Sequence, residues 1–298
     1  MIRAFLLFAL VASACIPGRA AASDTGWSGV SWQGERALAS TAQGWKAVVS
    51  LQRGRLVHFG PADRDNNLLF STATRTDAAG WGGHRVWLGP QSTWSQGWPP
   101  PAAWEHSGPE SFSVESGVLR LVMPDAGDGW PRLTRTYRWD GAKLVCGVEI
   151  SGGTRPAQII EIMQVPRTAL VQALVPPEPA APAGYVLLPA GSNHELLTDF
   201  PPPPQVTLTG RALLLRHIGV ILKPGFRPQT LAGIEGKFSV IVGRTEPSGA
   251  VTGPTDRGFL TQVYLGGPEP FIELEQLSPL FSPGGSASFA VILEGRAR

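Results

Sequence analysis

Residues 80–104 read GWGGHRVWLGPQSTWSQGWPPPAAW and hold five of the chain's ten tryptophans: Trp81, Trp87, Trp94, Trp98 and Trp104. His84, Arg85, Gln91 and Gln96 stand between them. Flat rings supply stacking area, and Trp adds an N–H handle. Arg and Gln supply directed hydrogen bonds. Together they suit a ligand with apolar faces and many hydroxyls, for which a sugar is the obvious candidate. Arg85, Trp87, Gln91, Trp94 and Trp98 would be its contacts. The same composition would also serve a loop that caps one end of a sheet with its rings buried.

The acids come next. Glu273 and Glu275, in FIELEQL, are two apart in a strand pattern and so share a face, with Ile272 and Leu274 turned to the core. Two carboxylates there would line a groove and raise one another's pKa, or simply be solvated. Glu161, in IIEIMQVP, is an acid in a strongly apolar run. Ile160 and Ile162 face one way, Glu161 and Met163 the other. A buried acid needs a partner, and Arg85 or Arg167 would serve. Among the histidines, His84 lies beside Arg85, His194 in GSNHEL is a second candidate, and His58 and His217 read as structural.

Other chemistries find no support. There is no HxH, HExxH or Asp-rich calcium loop, so no metal site is expected. DAGD at 125–128 reads as a turn. No phosphate loop or GxSxG elbow occurs, and Gly80–Gly83 lacks the strand and helix of a nucleotide fingerprint. No cofactor is expected.

These residues must be held by strands. Gly at 36 and Pro at 28 exceed ordinary usage, and only 16% of the 298 residues are charged. Strand patterns run over 46–52, 55–60, 85–88, 111–116, 118–123, 133–140, 144–151 and 158–165. They resume at 212–218, 220–222, 237–245, 258–265, 271–277 and 286–293. Arg53-Gly54, Ser116-Gly117 and Asp140-Gly141 mark hairpin turns. No helix of ordinary length shows an apolar face. Two Pro-rich stretches, 174–184 and 200–204, read as stiff excursions from the sheet. The pattern is that of an all-β sandwich, a single domain over 23–298.

Residues 1–22 read as a signal peptide, with Arg3 as the n-region and an apolar segment at 4–14 too short to span a bilayer. Cleavage near 20–22 fits RAAASD. A lipoprotein-type cut before Cys15, in VASAC, is the alternative, with Ala12 where a larger aliphatic is usual. Export to the periplasm or envelope is expected either way, with no transmembrane span and a lipid anchor at Cys15 only in the second case. Loss of Arg3 and Arg19 takes Lys and Arg from 25 to 23, equal to the 23 Asp and Glu. That neutrality argues against a nucleic-acid partner. Cys146 is then the one cysteine left and reads as a buried thiol. The expected assembly is a monomer.

Several segments resemble a known superfamily. LQRGRLVHFG followed by NNLLF resembles the opening of galactose mutarotase-like (aldose 1-epimerase-like) domains. GGHRVWLGPQSTWSQGWPPP resembles the signature of a bacterial family of unknown function within it, and FIELEQLSPLFSPGGSASF resembles the closing segment. The resemblance implies a supersandwich of two large antiparallel sheets with a carbohydrate groove on the concave one. It also implies acid–base chemistry, in which a carboxylate takes the anomeric proton and a histidine protonates the ring oxygen. His84 would be the acid and Glu161 or Glu273 the base, with Glu275 alongside to bind. The paired histidines of well-studied mutarotases are missing from the middle of the chain. An exported carbohydrate-binding protein is therefore the first expectation, an epimerase the second, and a structural envelope protein the third.

Overall fold

A computed structural model describes residues 26–72, 81–91, 94, 103–175, 181, 183–188, 197–227, 230–254 and 258–298, with backbone only at 103 and 106. The signal segment with Cys15, Gln96, Trp98 and His194 lie outside the described residues. The chain begins with β1 (Ser28–Trp32), β2 (Glu35–Ala42), β3 (Trp45–Ser50), β4 (Arg55–Pro61) and β5 (His84–Gly89). After the four-residue helix α1 (Ala103–His106) come β6 (Ser111–Glu115), β7 (Val118–Val122), β8 (Arg132–Asp140), β9 (Lys143–Ser151), β10 (Ala157–Pro166) and β11 (Leu170–Leu174). Next are β12 (Val186–Leu187), β13 (Val206–Thr209), β14 (Ala212–Leu215), β15 (Pro224–Phe226) and β16 (Leu231–Glu235). The last five are β17 (Phe238–Arg244), β18 (Val251–Gly253), β19 (Thr261–Leu265), β20 (Phe271–Phe281) and β21 (Ser286–Ala297).

These strands form three antiparallel sheets. The two large ones have seven strands (β12-β15-β19-β20-β10-β5, with β18 on β20) and ten strands (β13-β14-β11-β16-β17-β21-β9-β8-β7-β6). A four-stranded sheet, β1-β2-β3-β4, makes a third layer that the sequence did not announce. Its first hairpin turns at Gln33-Gly34, both with positive φ, the geometry of a type I′ turn. Ser116-Gly117 does the same between β6 and β7.

One apolar cluster draws on all three sheets. Leu38, Val49 and Phe59 come from the small sheet, and Val86, Met163 and Leu274 from the seven-stranded one. Leu121, Tyr137, Cys146 and Val291 come from the ten-stranded one. Ile272 and Leu274 are fully buried in that cluster, so Glu273 and Glu275 occupy the other face of β20. Cys146 is buried and unpaired. Among the described residues no helix is long and apolar enough to cross a membrane.

Candidate functional site

Residues directly opposite in paired strands share a face. In the seven-stranded sheet, Arg85 of β5 stands opposite Ile162 of β10, Ile162 opposite Glu275 of β20, and Glu275 opposite Gln262 of β19. The next row on that face is Gln164, Glu273 and Tyr264. The row on the other side is Trp87, Ile160 and Leu277. One face thus carries a polar strip beside an apolar one.

The polar strip is closely connected. Arg85 donates from Nε and Nη2 to Glu105 Oε2, at 3.1 and 3.0 Å, and from Nη1 to Glu273 Oε1 at 3.2 Å. Gln164 Nε2 donates to the same Glu273 oxygen at 2.9 Å. Lys223 Nζ lies 3.0 Å from each oxygen of Glu275, aligned for a hydrogen bond to Oε2, and donates to Gln91 Oε1 at 3.3 Å. All these side chains are buried, and Tyr264 and Trp94 keep partial exposure. Among the described residues, three buried amide atoms here have no hydrogen-bond partner: Gln91 Nε2, Gln164 Oε1 and Gln262 Oε1.

Burial and charge tune the carboxyls in opposite directions. Burial pushes Glu273 up, Arg85 pulls it back and Glu275 pushes it up again, leaving it at about 6. Burial would also raise Glu105, but the guanidinium groups of Arg85, Arg55 and Arg135 overcome it and hold that carboxyl at about 2. Tyr264 is pushed up to about 12 by burial and by the nearby acids Glu269, Glu273 and Glu275. The face therefore presents a phenol O–H and a carboxyl that titrates just below neutral pH.

The other face of the same strands turns to the core, and it takes two of the sequence candidates with it. His84 pairs with Met163, and Glu161 pairs with Val86. His84 precedes Arg85 in one strand, so the two side chains point to opposite faces. His84 and Glu161 are both fully buried, with His84 Nε2 2.9 Å from Glu161 Oε2 but out of line for a hydrogen bond. Burial, with Arg135 and Arg55 close by, lowers His84 well below the usual histidine range. Burial raises Glu161 well above the usual carboxylate range, opposed by Arg135. Both shifts favour the uncharged forms. The expected pairing of Glu161 with Arg85 or Arg167 is replaced by this contact with His84, and neither His84, the expected acid, nor Glu161 lies on the Arg85 face.

The aromatic residues divide in the same way. Trp87 joins Ile160, Ile162 and Leu277 on the Arg85 face, and Trp94 packs against them. The two rings meet edge to face at 5.5 Å, and the Arg85 guanidinium lies 4.5 Å from the Trp87 ring centre. Trp104 is buried in the main core and donates Nε1 to Val86 O at 3.2 Å. Trp81 is buried between Arg53 and Arg55. So the stretch serves both readings of its composition, with two rings on the polar face and two in the core. Glu105, Lys223, Gln262 and Tyr264 were not singled out beforehand. A signal existed for Lys223, a lone cation in VILKPG, and for the alternation of Gln262 and Tyr264 in TQVYL. Among the described residues no group of three or more His, Cys, Asp or Glu is placed to hold a metal.

No protein-family profile matches the chain, and no curated protein matches it by sequence. Solved structures do. A protein from Escherichia coli K12 provisionally named an aldose 1-epimerase superposes with a TM-score of 0.63 at 12% identity, over 88% of this chain and 99% of that one. A galactose mutarotase-like protein from Lactobacillus casei gives 0.61 at 11%, over 87% and 100%. A galactose mutarotase related enzyme from Lactobacillus acidophilus gives 0.53 at 9%, over 88% and 97%. At these identities the likeness is one of fold.

Proposed function

We propose that this chain, whose fold is galactose mutarotase-like, binds a carbohydrate on the Arg85 face of its seven-stranded sheet. The observation that carries the reading is the set of three buried amide atoms without partners among the described residues, Gln91 Nε2, Gln164 Oε1 and Gln262 Oε1, on the face that holds Trp87 and Trp94. Buried polar atoms are ordinarily paired, and each one left unmade costs about 1–3 kcal/mol. They include both a donor and acceptors. A polyol supplies both kinds of complement, and its C–H faces suit the indole rings.

Intrinsic tryptophan fluorescence titrated with mono- and oligosaccharides tests the reading. A saturable change with one sugar class, lost in Glu275→Gln, supports it. Absence of any saturable change in a protein that melts cooperatively moves the role to a structural one.

A second reading, anomer exchange of the aldose 1-epimerase type, is favoured by Glu273. A carboxyl at about 6 is matched to accepting a hydroxyl proton near neutrality. Tyr264, directly across from Glu273, is the O–H donor on that face. Anomer interconversion that survives His84→Ala but not Glu273→Gln would favour this reading.

Export rests on the first 22 residues. Expression with that segment intact, followed by N-terminal mass analysis, decides it. A new terminus near residue 23 gives a secreted form, and a diacylglycerol adduct on Cys15 gives an anchored one.

A further inference from the structure

Resting on the carbohydrate reading, we propose that Glu105 is a positioning residue that confines the Arg85 guanidinium to one oxygen of Glu273 and so leaves Glu273 Oε2 to receive a ligand hydroxyl. Glu105 sits in the short helix α1, fixed to the sheet on two sides. Its neighbour Trp104 donates to Val86 O at 3.2 Å, and Arg55 Nη2 of β4 donates to the Glu105 carbonyl at 3.1 Å. Its carboxylate then meets two guanidinium groups. Oε2 accepts Nε and Nη2 of Arg85 and lies 3.5 Å from Arg55 Nη2.

The consequence lies in how Arg85 spends its donors. A guanidinium prefers a carboxylate through two parallel N–H bonds. Glu105 occupies the Nε–Nη2 edge of Arg85, which leaves Nη1 for Glu273. Gln164 bonds to that same Oε1. Two donors therefore converge on Oε1, and among the described residues no hydrogen bond falls on Oε2. The Trp87 ring below the guanidinium limits rotation out of this plane. Without Glu105 at its other edge, Arg85 would be released to pair with both oxygens of Glu273 and close the ligand's place.

The groups that face Glu273 are Arg85 from β5, uncharged Gln164 from β10, Glu275 on its own strand, Tyr264 from β19 and Lys223 ahead of β15. Glu105→Asp changes none of them and keeps the charge, but withdraws the carboxylate by one methylene from both arginines. Carboxyl-labelled NMR titration of Glu273, which requires no ligand, reads the outcome. Tightened pairing with Arg85 moves the Glu273 midpoint down by about one unit, and sugar affinity at neutral pH falls about tenfold. A merely structural role lowers the melting temperature and leaves the midpoint in place. Should the aspartate variant not fold, isosteric Glu105→Gln is compared by sugar affinity alone, because loss of charge moves the midpoint by itself. A folded Glu105→Asp protein with a midpoint within about 0.3 unit of the parent overturns the proposal. So does an unchanged affinity in folded Glu105→Gln. A parent protein that binds no sugar refutes the carbohydrate reading, while the ligand-free titration still decides the role of Glu105.

Discussion

Arg85 Nη1 lies 3.2 Å from Glu273 Oε1, an ion pair between residues 188 apart in sequence, with both side chains nearly inaccessible. It joins β5 to β20 across β10, because Arg85 and Glu275 both stand opposite Ile162. Removing one partner of a buried pair leaves the others charged and unpaired, which costs about 3–5 kcal/mol. Arg85→Met strands Glu273 and leaves Glu105 with Arg55 alone. Urea unfolding at neutral pH should show a loss in that range. A loss under about 1 kcal/mol would mean that water or another cation reaches these carboxylates readily.

The position of Glu273 gives binding a defined pH dependence. A ligand hydroxyl donates best to an ionised carboxylate, so affinity should rise as pH increases through about 6, and Glu273→Gln should bind weakly and without that midpoint. Stability runs the opposite way. An acid whose folded value is raised from 4.5 to about 6 contributes fully below 4.5 and loses its contribution as pH rises through 6. At about 1.4 kcal/mol per unit, the loss is about 2 kcal/mol. Binding isotherms and urea midpoints between pH 4 and 8 check both slopes, and parallel slopes would contradict the assignment to one group.

Much of this arrangement was legible in the sequence. Period-two alternation in FIELEQL placed Glu273 and Glu275 together, and Gly turns bounded the hairpins of β6–β9. What could not be read was which side of β10 faces the main core. Ile159, Ile160, Ile162, Met163 and Val165 make both faces apolar, and a strand buried on both sides shows no alternation to read. The sharper lesson concerns His84 and Arg85. Adjacent residues in a strand cannot share a face, so choosing Arg85 for the groove already excluded His84. Glu105 was hidden for another reason: a four-residue helix has no periodicity to betray it, and its partners Arg55 and Arg85 are distant in sequence.

The core pair makes a contrasting prediction. Burial favours the protonated form of Glu161 in the fold, and its raised carboxyl contributes stability that is full below 4.5 and declines as pH rises. Glu161→Gln removes that decline while keeping shape and neutrality. Thermal unfolding at neutral pH should show the variant at least as stable as the parent, with the difference shrinking toward pH 4. Sugar binding should be unchanged, because Glu161 lies on the face away from Arg85. A loss of binding in a stable Glu161→Gln protein would place the ligand on the other side of the sheet.

The tryptophans separate site from scaffold. Trp94 keeps partial exposure and donates Nε1 to Leu88 O and its backbone N–H to Gln91 O, both at 3.2 Å, whereas Trp104 is about 1% exposed within the main core. Trp104→Ala empties a core position and should cost about 3–5 kcal/mol in urea unfolding. Trp94→Ala removes a ring that meets Trp87 edge to face, a contact contributing about 0.5–1.5 kcal/mol, so the fold should survive it. The sugar-dependent fluorescence change should disappear in Trp94→Ala. If that variant keeps the full response, the reporter is another indole, and the stacking surface must be sought at Trp87.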